Sequence, residues 1–338
     1  LQGSGQVQLN TPVVQLFEVG GGGGNTIFSG TILGGAAGGT FNGGSRLNKT
    51  GSSKLTLTGN TSTYTNRTFI GAASVINVQA NNALGVTGSG TLSGVFVLSG
   101  GSLEIEGIGL NLDKYIGLNG NGVGSTGALR NISGINTIPN TIQIGWIDPL
   151  PISASDASIG VDLGSLTLSG SIIGSQALTK VGPGILIFSG ASANTYSSNT
   201  TISEGTLQLN KTGVAAIVSP SIFINSTGTL QLDQGNQISN LSNLTIDGGT
   251  FNMNGFSEEL QNLIFNSGTL LQAGGQLTLN GETAPLTMRD VSISGDLLFA
   301  GVTGDIIFDA TNNGTGLISG NINLGGVLRG VDVGDGTS

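Results

Sequence analysis

Apolar and polar residues alternate along most of this chain, and helical spacing is hardly seen. The clearest alternation is a five-residue unit, Gly-(Thr/Ser)-Leu-x-Leu or close to it. The unit occurs at residues 101–105, 164–168, 205–209, 228–232, 249–253 and 268–272. In the first five units the apolar residue at the third position and the one two places on share one side of an extended strand, and the polar residues take the other; the last unit ends in Leu271-Gln272 instead. The pattern predicts short β-strands that follow a glycine turn and bury one face.

The spacing of these units predicts how the strands stack. The last four begin 23, 21 and 19 residues apart, at Gly205, Gly228, Gly249 and Gly268. A repeat of about twenty residues with two or three strands is typical of a parallel β-helix, whose turns stack at about 4.8 Å. We therefore expect an all-β fold, a right-handed parallel β-helix (a β-solenoid) of roughly 15 turns.

An antiparallel sandwich is the alternative all-β fold. Asn-Gly pairs, at residues 42–43, 119–120 and 254–255, also suit the tight turns of β-hairpins. The irregular repeat lengths are compatible with both architectures.

One longer phrase occurs twice, at residues 47–70 and 178–202. The two copies align Lys49 with Lys180, Gly51 with Gly182, Leu55 with Leu186, Leu57 with Phe188, Gly59 with Gly190, Tyr64 with Tyr196 and Ile70 with Ile202. An internal repeat of alternating strands and Gly/Asn turns favours a stacked repeat architecture.

The pattern is interrupted at residues 139–151, which hold three prolines and the only Trp, Trp146. Proline disfavours a central strand, so we predict a loop or a junction there. The chain then divides into an N-terminal strand with a Gly-rich entry loop (1–24), a first β-helix segment with the weaker repeat copy (25–138), the junction (139–151), a second β-helix segment with the clearer copy (152–290) and C-terminal coils (291–338). Residues 253–265 allow either one helical turn or a strand–turn–strand.

Composition excludes several classes of function. Charged residues make up only 9% of the 338 residues, and the ten basic ones are scattered, which argues against nucleic-acid binding. No stretch reaches the ~18 apolar residues of a transmembrane helix, so we expect no membrane insertion by this segment. The chain has no Cys and no His. It therefore lacks disulfides, thiol chemistry, His/Cys metal sites and a His-dependent catalytic triad, which fits a protein exported by bacteria.

Paired carboxylates are the remaining route to catalysis. Glycosidases need two carboxyl groups facing each other roughly 5 to 9.5 Å apart. Glu104 and Glu106 share one face of a predicted strand, as do Asp156 and Asp162 if their strand is regular. The basic residues do not cluster with carboxylates along the sequence, although a solenoid brings residues one turn apart together. We interpret these carboxylates as solvated groups on a polar wall.

Other motifs are weaker. Asp309–Gly314 partly imitates a calcium loop, but Thr311 is a poor third ligand and Gly320 stands where the bidentate Glu belongs. The glycines at 122, 124 and 127 match a dinucleotide fingerprint without the helix that binding requires. We therefore predict no catalytic, cofactor-binding or metal-binding residues and no cofactor.

The repeated phrase resembles a known family motif, the autotransporter-associated β-strand repeat of Gram-negative passenger domains. Residues 168–209 give nearly the whole motif, including Asn194-Thr195-Tyr196 and Gly205-Thr206-Leu207. Residues 27–78 give a weaker copy, with Asn48 in place of the usual Thr. The resemblance implies a secreted β-helix, at the bacterial cell surface through an outer-membrane segment outside this sequence, or released.

Three functions follow as hypotheses. The first is a non-enzymatic extracellular rod or stalk that acts in adhesion or self-association, lateral or end-to-end, or that binds a host or cell-surface ligand. The second is the subunit of an extracellular filament that assembles end to end through unpaired strand edges. The third is a β-helix glycan lyase or hydrolase, which predicts carboxylates and a base converging on one wall. The first two predict no such cluster.

Overall fold

The computed structural model describes residues 1–9, 16–20, 23–34, 46–86, 93–146, 153–289, 291–301, 303–309, 316–327 and 329–333. The chain forms two compact units, Leu1–Leu186 and Ile187–Ser338. Strands account for nearly all the regular structure, and within the described ranges there is no α-helix. Consequently no described helix has the length and apolar character needed to cross a membrane.

The first unit is built from short strands. They are β1 Gln6–Leu9, β2 Leu16–Val19, β3 Thr26–Phe28, β4 Thr31–Gly34, β5 Arg46–Lys49, β6 Lys54–Leu57, β7 Thr68–Ile70, β8 Val75–Val78, β9 Val95–Val97, β10 Ser102–Glu106, β11 Ile116–Leu118, β12 Leu129–Ser133, β13 Ile135–Ile138, β14 Ile142–Ile144, β15 Ala157–Val161, β16 Ser165–Leu168, β17 Ile172–Gly174 and β18 Leu178–Val181. A 3₁₀ turn spans Val123–Ser125. Strand β19, Ile185–Gly190, runs across the boundary between the units.

The second unit contains four long strands and a series of short ones. They are β20 Thr200–Lys211, β21 Ser221–Leu232, β22 Asn243–Asn252, β23 Glu258–Leu260, β24 Asn262–Leu271, β25 Leu277–Leu279, β26 Leu286–Met288, β27 Ser292–Ile293, β28 Leu297–Phe299, β29 Ile306–Phe308, β30 Leu317–Ile318, β31 Ile322–Asn323 and β32 Val331–Val333. Residues 253–265, for which the sequence left two readings open, form strands rather than a helical turn.

The strands pair in parallel with strands of the neighbouring turns, and most have a partner on both sides. In the first unit, Leu55 of β6 pairs with Ile76 of β8, and Leu103 of β10 pairs with both Ile76 and Leu129. All four side chains are buried. Alternate residues of each strand therefore form continuous apolar ladders that fill the interior of the coil.

The Gly-Thr-Leu units of the second unit stack as their spacing predicted. Thr206 pairs with Thr229, and Thr250 pairs with Thr269. The residues that follow, Leu207, Leu230, Phe251 and Leu270, are buried one above the other. One unit of sequence thus corresponds to one turn of the coil.

The predicted fold class is confirmed. The chain is a parallel β-solenoid of about 13 turns, slightly fewer than the roughly 15 expected from the sequence. The antiparallel sandwich is wrong, because every described strand pairing is parallel. The right-handed sense of the coil and the division into five segments stay predictions.

The segment 139–151 differs in part from the predicted loop. Ile142–Ile144 forms β14, which pairs in parallel with β11 and β17 and continues the wall. The prolines flank this strand instead of interrupting it, and residues 147–152 lie outside the described residues.

Trp146, at the end of that segment, is buried against the wall. Its ring stacks on Phe96 at a centroid distance of 4.0 Å, within a cluster that includes Phe69 and Tyr115. Gly117 makes room for the indole, because a Cβ there would lie 2.8 Å from Trp146 Cγ. The single Trp therefore packs on the wall and does not mark a departure from it.

Candidate functional site

The two copies of the repeated phrase bury a lysine in the same way. Lys49 donates from Nζ to the carbonyl oxygens of Thr50, at 2.6 Å, and Gly51, at 3.1 Å. Lys180 donates to the carbonyl oxygens of Val181, at 2.9 Å, and Gly182, at 2.6 Å. Both side chains are buried. Each lysine therefore holds the turn that follows its own strand, and burial lowers the pKa of Lys49.

A buried Tyr–Thr pair is the second shared feature. The Tyr64 hydroxyl lies 2.8 Å from Thr68 Oγ1, and the Tyr196 hydroxyl lies 2.8 Å from Thr200 Oγ1. Both tyrosines are completely buried. Burial raises the pKa of Tyr196 to about 12, so the hydroxyl stays protonated at neutral pH. The repeat thus places its most distinctive polar side chains inside the coil.

Two further lysines are buried that the sequence did not single out. Lys211 donates to the carbonyl oxygens of Ser189, at 2.9 Å, and Ser192, at 2.7 Å. Lys114 donates to the carbonyl oxygens of Val86 and Ser93. Burial lowers the pKa of each to about 8. Only the stacking of turns reveals them, because their carbonyl partners lie 19 to 28 residues away in sequence.

Charged side chains meet on the outer face of one wall of the first unit. Lys54 Nζ lies 2.6 Å from Glu104 Oε2, and Arg130 Nη1 lies 3.4 Å from Glu104 Oε1. Arg130 also binds Asp162 through two atoms, Nε at 3.1 Å and Nη2 at 2.6 Å. These hydrogen bonds, with the negative charges of Asp162 and Glu104, raise the pKa of the Arg130 guanidinium. We call Lys54, Glu104, Arg130 and Asp162 the charged row.

Amide side chains extend the charged row. Asn77 donates from Nδ2 to Glu104, at 3.3 Å, and to Glu106, at 3.0 Å. Gln79 donates to Asn77 and to Glu106, each at 3.1 Å. Glu104 and Glu106 do share one face, as the sequence predicted, and one amide bridges them.

The charged row corrects one expectation. The non-enzymatic hypotheses predicted that carboxylates and bases would not converge on a wall, and here they do, because the solenoid aligns residues from successive turns. Each carboxyl group of the charged row already binds at least one cation of the row. Glu104 is bonded to Lys54, Arg130 and Asn77, and Asp162 is bonded bidentately to Arg130. The arrangement forms an ion-pair ladder that ties neighbouring turns together.

The remaining sequence candidates are dispersed. Asp156 Oδ1 accepts from the backbone N–H of Ala177 at 2.8 Å and has a partner separate from that of Asp162. Within the described residues no three Asp or Glu side chains are placed to hold a metal ion. The calcium-like loop lies outside those residues from 310 to 315. Of the three glycines, Gly124 lies within the 3₁₀ turn Val123–Ser125, and Gly122 and Gly127 lie on either side of it.

Glu258 is a buried carboxylate that sequence reasoning did not identify. It accepts from the backbone N–H groups of Gln237, at 2.7 Å, and Ile238, at 3.4 Å. The side chain of Gln237 in turn accepts from the backbone N–H of Lys211 and donates to the backbone carbonyl of Lys211. Burial raises the pKa of Glu258 from its ordinary value of 4.5 to about 7, although the N–H donors oppose this shift. These contacts form a polar ladder across three turns of the second unit.

Comparison with known proteins adds one finding. A family model described as the passenger-associated-transport-repeat matches residues 47–75 and 178–209. These are the two stretches that bury Lys49 with Tyr64 and Lys180 with Tyr196. No curated protein and no solved structure matches the chain. Two such repeats on a parallel β-solenoid support its assignment as an autotransporter passenger domain with repeats.

Proposed function

We propose that the chain is a non-enzymatic extracellular structural protein, the β-helical stalk of an autotransporter-type surface or secreted protein that acts in adhesion or self-association. The observation that carries the proposal is the inward direction of the repeat's polar groups. Lys49, Lys180, Tyr64 and Tyr196 all bond within the coil. The repeats therefore build the solenoid, and what acts on the surroundings is its outer wall.

The composition of the outer wall supports this function. Only 9% of residues are charged, and the charged row neutralises itself in pairs. A wall rich in Thr, Ser and Asn approaches another surface with little electrostatic repulsion and offers many weak hydrogen bonds.

The passenger repeats imply a protein that is secreted or exposed at a surface. The finer placement belongs to the proposal: the surface of a Gram-negative bacterium, through an outer-membrane segment outside this sequence, or release into the medium.

Surface display tests the proposal. We expect non-adherent bacterial cells that display the chain to settle from suspension, or to attach to host cells, more than cells that display the carrier alone. Antibody labelling on intact cells establishes equal display. Display at full level with neither settling nor attachment would contradict adhesion and self-association together.

Glycan cleavage is the second candidate, because the charged row joins carboxylates with bases. Two carboxyl groups that act on a glycosidic bond must be free to reach it. Here Glu104 is nearly buried and held by two cations. We therefore expect no new reducing ends and no unsaturated sugar products when the purified chain is incubated with acidic and neutral polysaccharides. Products that disappear in Glu104→Gln would support the enzyme instead.

A further inference from the structure

One Asn-Gly pair in the first unit differs from the others in its hydrogen bonds. The sequence holds six such pairs, which begin at residues 42, 119, 121, 254, 280 and 313. The structure describes four of them, since residues 42–43 and 313–314 lie outside the described ranges. The pair that differs is Asn121-Gly122, directly before the 3₁₀ turn Val123–Ser125.

An Asn-Gly pair carries its own reactive groups. The backbone nitrogen of the glycine can attack the side-chain carbonyl of the asparagine, because no Cβ crowds the approach. The attack closes a five-membered succinimide ring and expels ammonia, and water then opens the ring. The reaction requires a glycine N–H that no acceptor holds and a side chain that water can reach.

Three of the four described pairs lack the first requirement, because a backbone carbonyl elsewhere in the coil holds the glycine N–H. The distances are 2.8 Å from Gly120 to Asp156, 3.1 Å from Gly255 to Gln272 and 2.7 Å from Gly281 to Gln261. The asparagine before Gly120 is also completely buried. These three pairs are therefore protected by the fold.

Asn121-Gly122 meets both requirements. Within the described residues the N–H of Gly122 donates to no acceptor, and the side chain of Asn121 is exposed to water. A further group favours the reaction, since the hydroxyl of the buried Ser158 donates to Asn121 Oδ1 at 2.8 Å. This oxygen takes the negative charge when the nitrogen of Gly122 attacks, and a donor already in place stabilises that charge.

We propose that Asn121 is a site of spontaneous covalent modification, at which the side-chain amide is converted through a succinimide into a carboxylate. The inference goes beyond the proposed function and does not rest on it. It rests on the free N–H of Gly122, the exposure of Asn121 and the hydrogen bond from Ser158.

The steps balance without an enzyme or an oxidant. The backbone nitrogen of Gly122 gives its proton to hydroxide and forms a bond to Asn121 Cγ. The Cγ–Nδ2 bond breaks, and Nδ2 takes a proton from water and leaves as ammonia. Water then adds to one of the two ring carbonyls. Addition at Cγ gives aspartate, and addition at the backbone carbonyl gives isoaspartate, so the whole reaction consumes one water and releases one ammonia.

The fold retains the reactive glycine. Gly122 has a left-handed backbone, with φ of +78°, and a Cβ there would stand 2.0 Å from the carbonyl oxygen of Gly127. Any other residue would therefore strain the loop and clash with it. The packing of the loop thus requires the residue that makes Asn121 reactive.

The modification changes both charge and backbone. Either product adds a negative charge at an exposed position of a chain in which only 9% of residues are charged. Isoaspartate also inserts a methylene into the main chain between Gly120, which is bonded to Asp156, and Gly127, whose N–H donates to the carbonyl of Asn121 at 2.9 Å. The change accumulates with time, so it distinguishes old molecules from new ones.

The first test compares the four described pairs within one molecule. The purified full chain is kept in weakly alkaline buffer for several weeks. Peptide mapping by mass spectrometry detects the exchange of NH₂ for OH at each asparagine, and chromatography separates aspartate from isoaspartate. We expect Asn121 to convert at least about tenfold faster than Asn119, Asn254 and Asn280, because their glycine N–H groups must first leave a carbonyl.

The same chain unfolded in guanidinium chloride is the control. Unfolding removes the protecting hydrogen bonds, and every pair then has the same reactive groups. The rates at the four asparagines should therefore converge. An advantage of Asn121 that persists in the unfolded chain would mean that the local sequence, and not the fold, sets its rate.

The second test removes the donor to Asn121 Oδ1. Ser158→Ala should slow the conversion of Asn121 about fivefold, the factor expected for one hydrogen bond. Ser155→Ala is the matched control, because the Ser155 hydroxyl lies 3.4 Å from Asn119 Oδ1 and bonds that asparagine instead. It should leave the rate at Asn121 unchanged. A wild-type rate in Ser158→Ala would overturn the role of Ser158.

Two results would overturn the site itself. One is an Asn121 that converts no faster than the other three asparagines in the folded chain. The other is aspartate without isoaspartate, which would show direct hydrolysis of the amide and no succinimide. The surface-display experiment is independent of both results.

Discussion

At the scale of single residues, polar side chains inside the solenoid stabilise its turns. Lysines donate to backbone carbonyl groups at the turns, as Lys180 does for Val181 and Gly182. An unpaired buried carbonyl is costly, so one long donor that reaches two of them stabilises a tight turn. The polar residues shared by the two repeats therefore specify how the chain leaves one strand and enters the next.

The Tyr–Thr pair gives a direct test of this account. Tyr196→Phe removes a buried hydroxyl bonded to Thr200, and we expect unfolding free energy to fall by about 1 kcal/mol. Urea denaturation followed by circular dichroism measures the change. In the double variant Tyr196→Phe/Thr200→Val the two losses should be less than additive. Full additivity would show that the two hydroxyls do not interact.

Glu258 predicts a pH dependence of stability. Its folded pKa of about 7 lies above the ordinary value of 4.5, so the folded state holds the proton more tightly than the unfolded state. The contribution of the protonated Glu258 carboxyl to the free energy of unfolding is fully present below pH 4.5. It is lost as the pH rises to about 7, and the total loss is about 3 kcal/mol. Denaturation midpoints between pH 4.5 and 7 measure this loss.

Substitution of Glu258 tests whether this carboxyl group causes the fall in stability between pH 4.5 and 7. Glu258→Gln should flatten the fall in stability, because the amide does not titrate. Glu259→Gln, one residue along, is the control and should retain it. An identical slope in all three proteins would refute the role of Glu258.

At the scale of elements, close stacking at the corners decides where glycine is required. Gly134 lies against the turn before it, and a Cβ there would stand 1.6 Å from the carbonyl oxygen of Gly107. Gly109 has the same left-handed backbone, with φ of +72° against +89° for Gly134, but nothing lies within 4 Å of its Cβ position. A comparison of the two glycines therefore distinguishes the cost of backbone strain from the cost of a steric clash between turns.

The pair therefore forms a matched experiment. Gly109→Ala should cost about 1 kcal/mol, the strain of a left-handed alanine. Gly134→Ala carries the same strain and also forces two turns apart, so we expect a loss of at least about 3 kcal/mol. Thermal unfolding of both variants measures the difference. Equal losses would mean that the corner relaxes without cost.

At the scale of the whole molecule, the sequence predicted the fold better than the surface. Apolar alternation and the glycine spacing predicted the parallel stack, because both follow from geometry that repeats every turn. The charged row was missed, since Lys54, Glu104 and Arg130 come from turns more than twenty residues apart. The strand at Ile142–Ile144 was missed because nearby prolines suggested a break where they only flank the strand.

Glu258 was missed for a related reason. Its neighbours along the chain give no sign of burial, which arises from backbone donors at Gln237 and Ile238 one turn away. Contacts between turns depend on the register with which the turns stack. That register is set only when the chain folds.

The central claim is that each turn stacks in parallel register on the previous one, and the absence of native cysteine makes disulfide trapping a clean test. Gln208 pairs with Gln231, and Gln231 pairs with Asn252. Adjacent strands lie at about 4.8 Å, within disulfide range, whereas strands two turns apart lie at about 10 Å, beyond it. Mild oxidation of Gln208→Cys/Gln231→Cys should close the disulfide nearly completely, while Gln208→Cys/Asn252→Cys should stay reduced. A disulfide in the second variant and none in the first would contradict the solenoid.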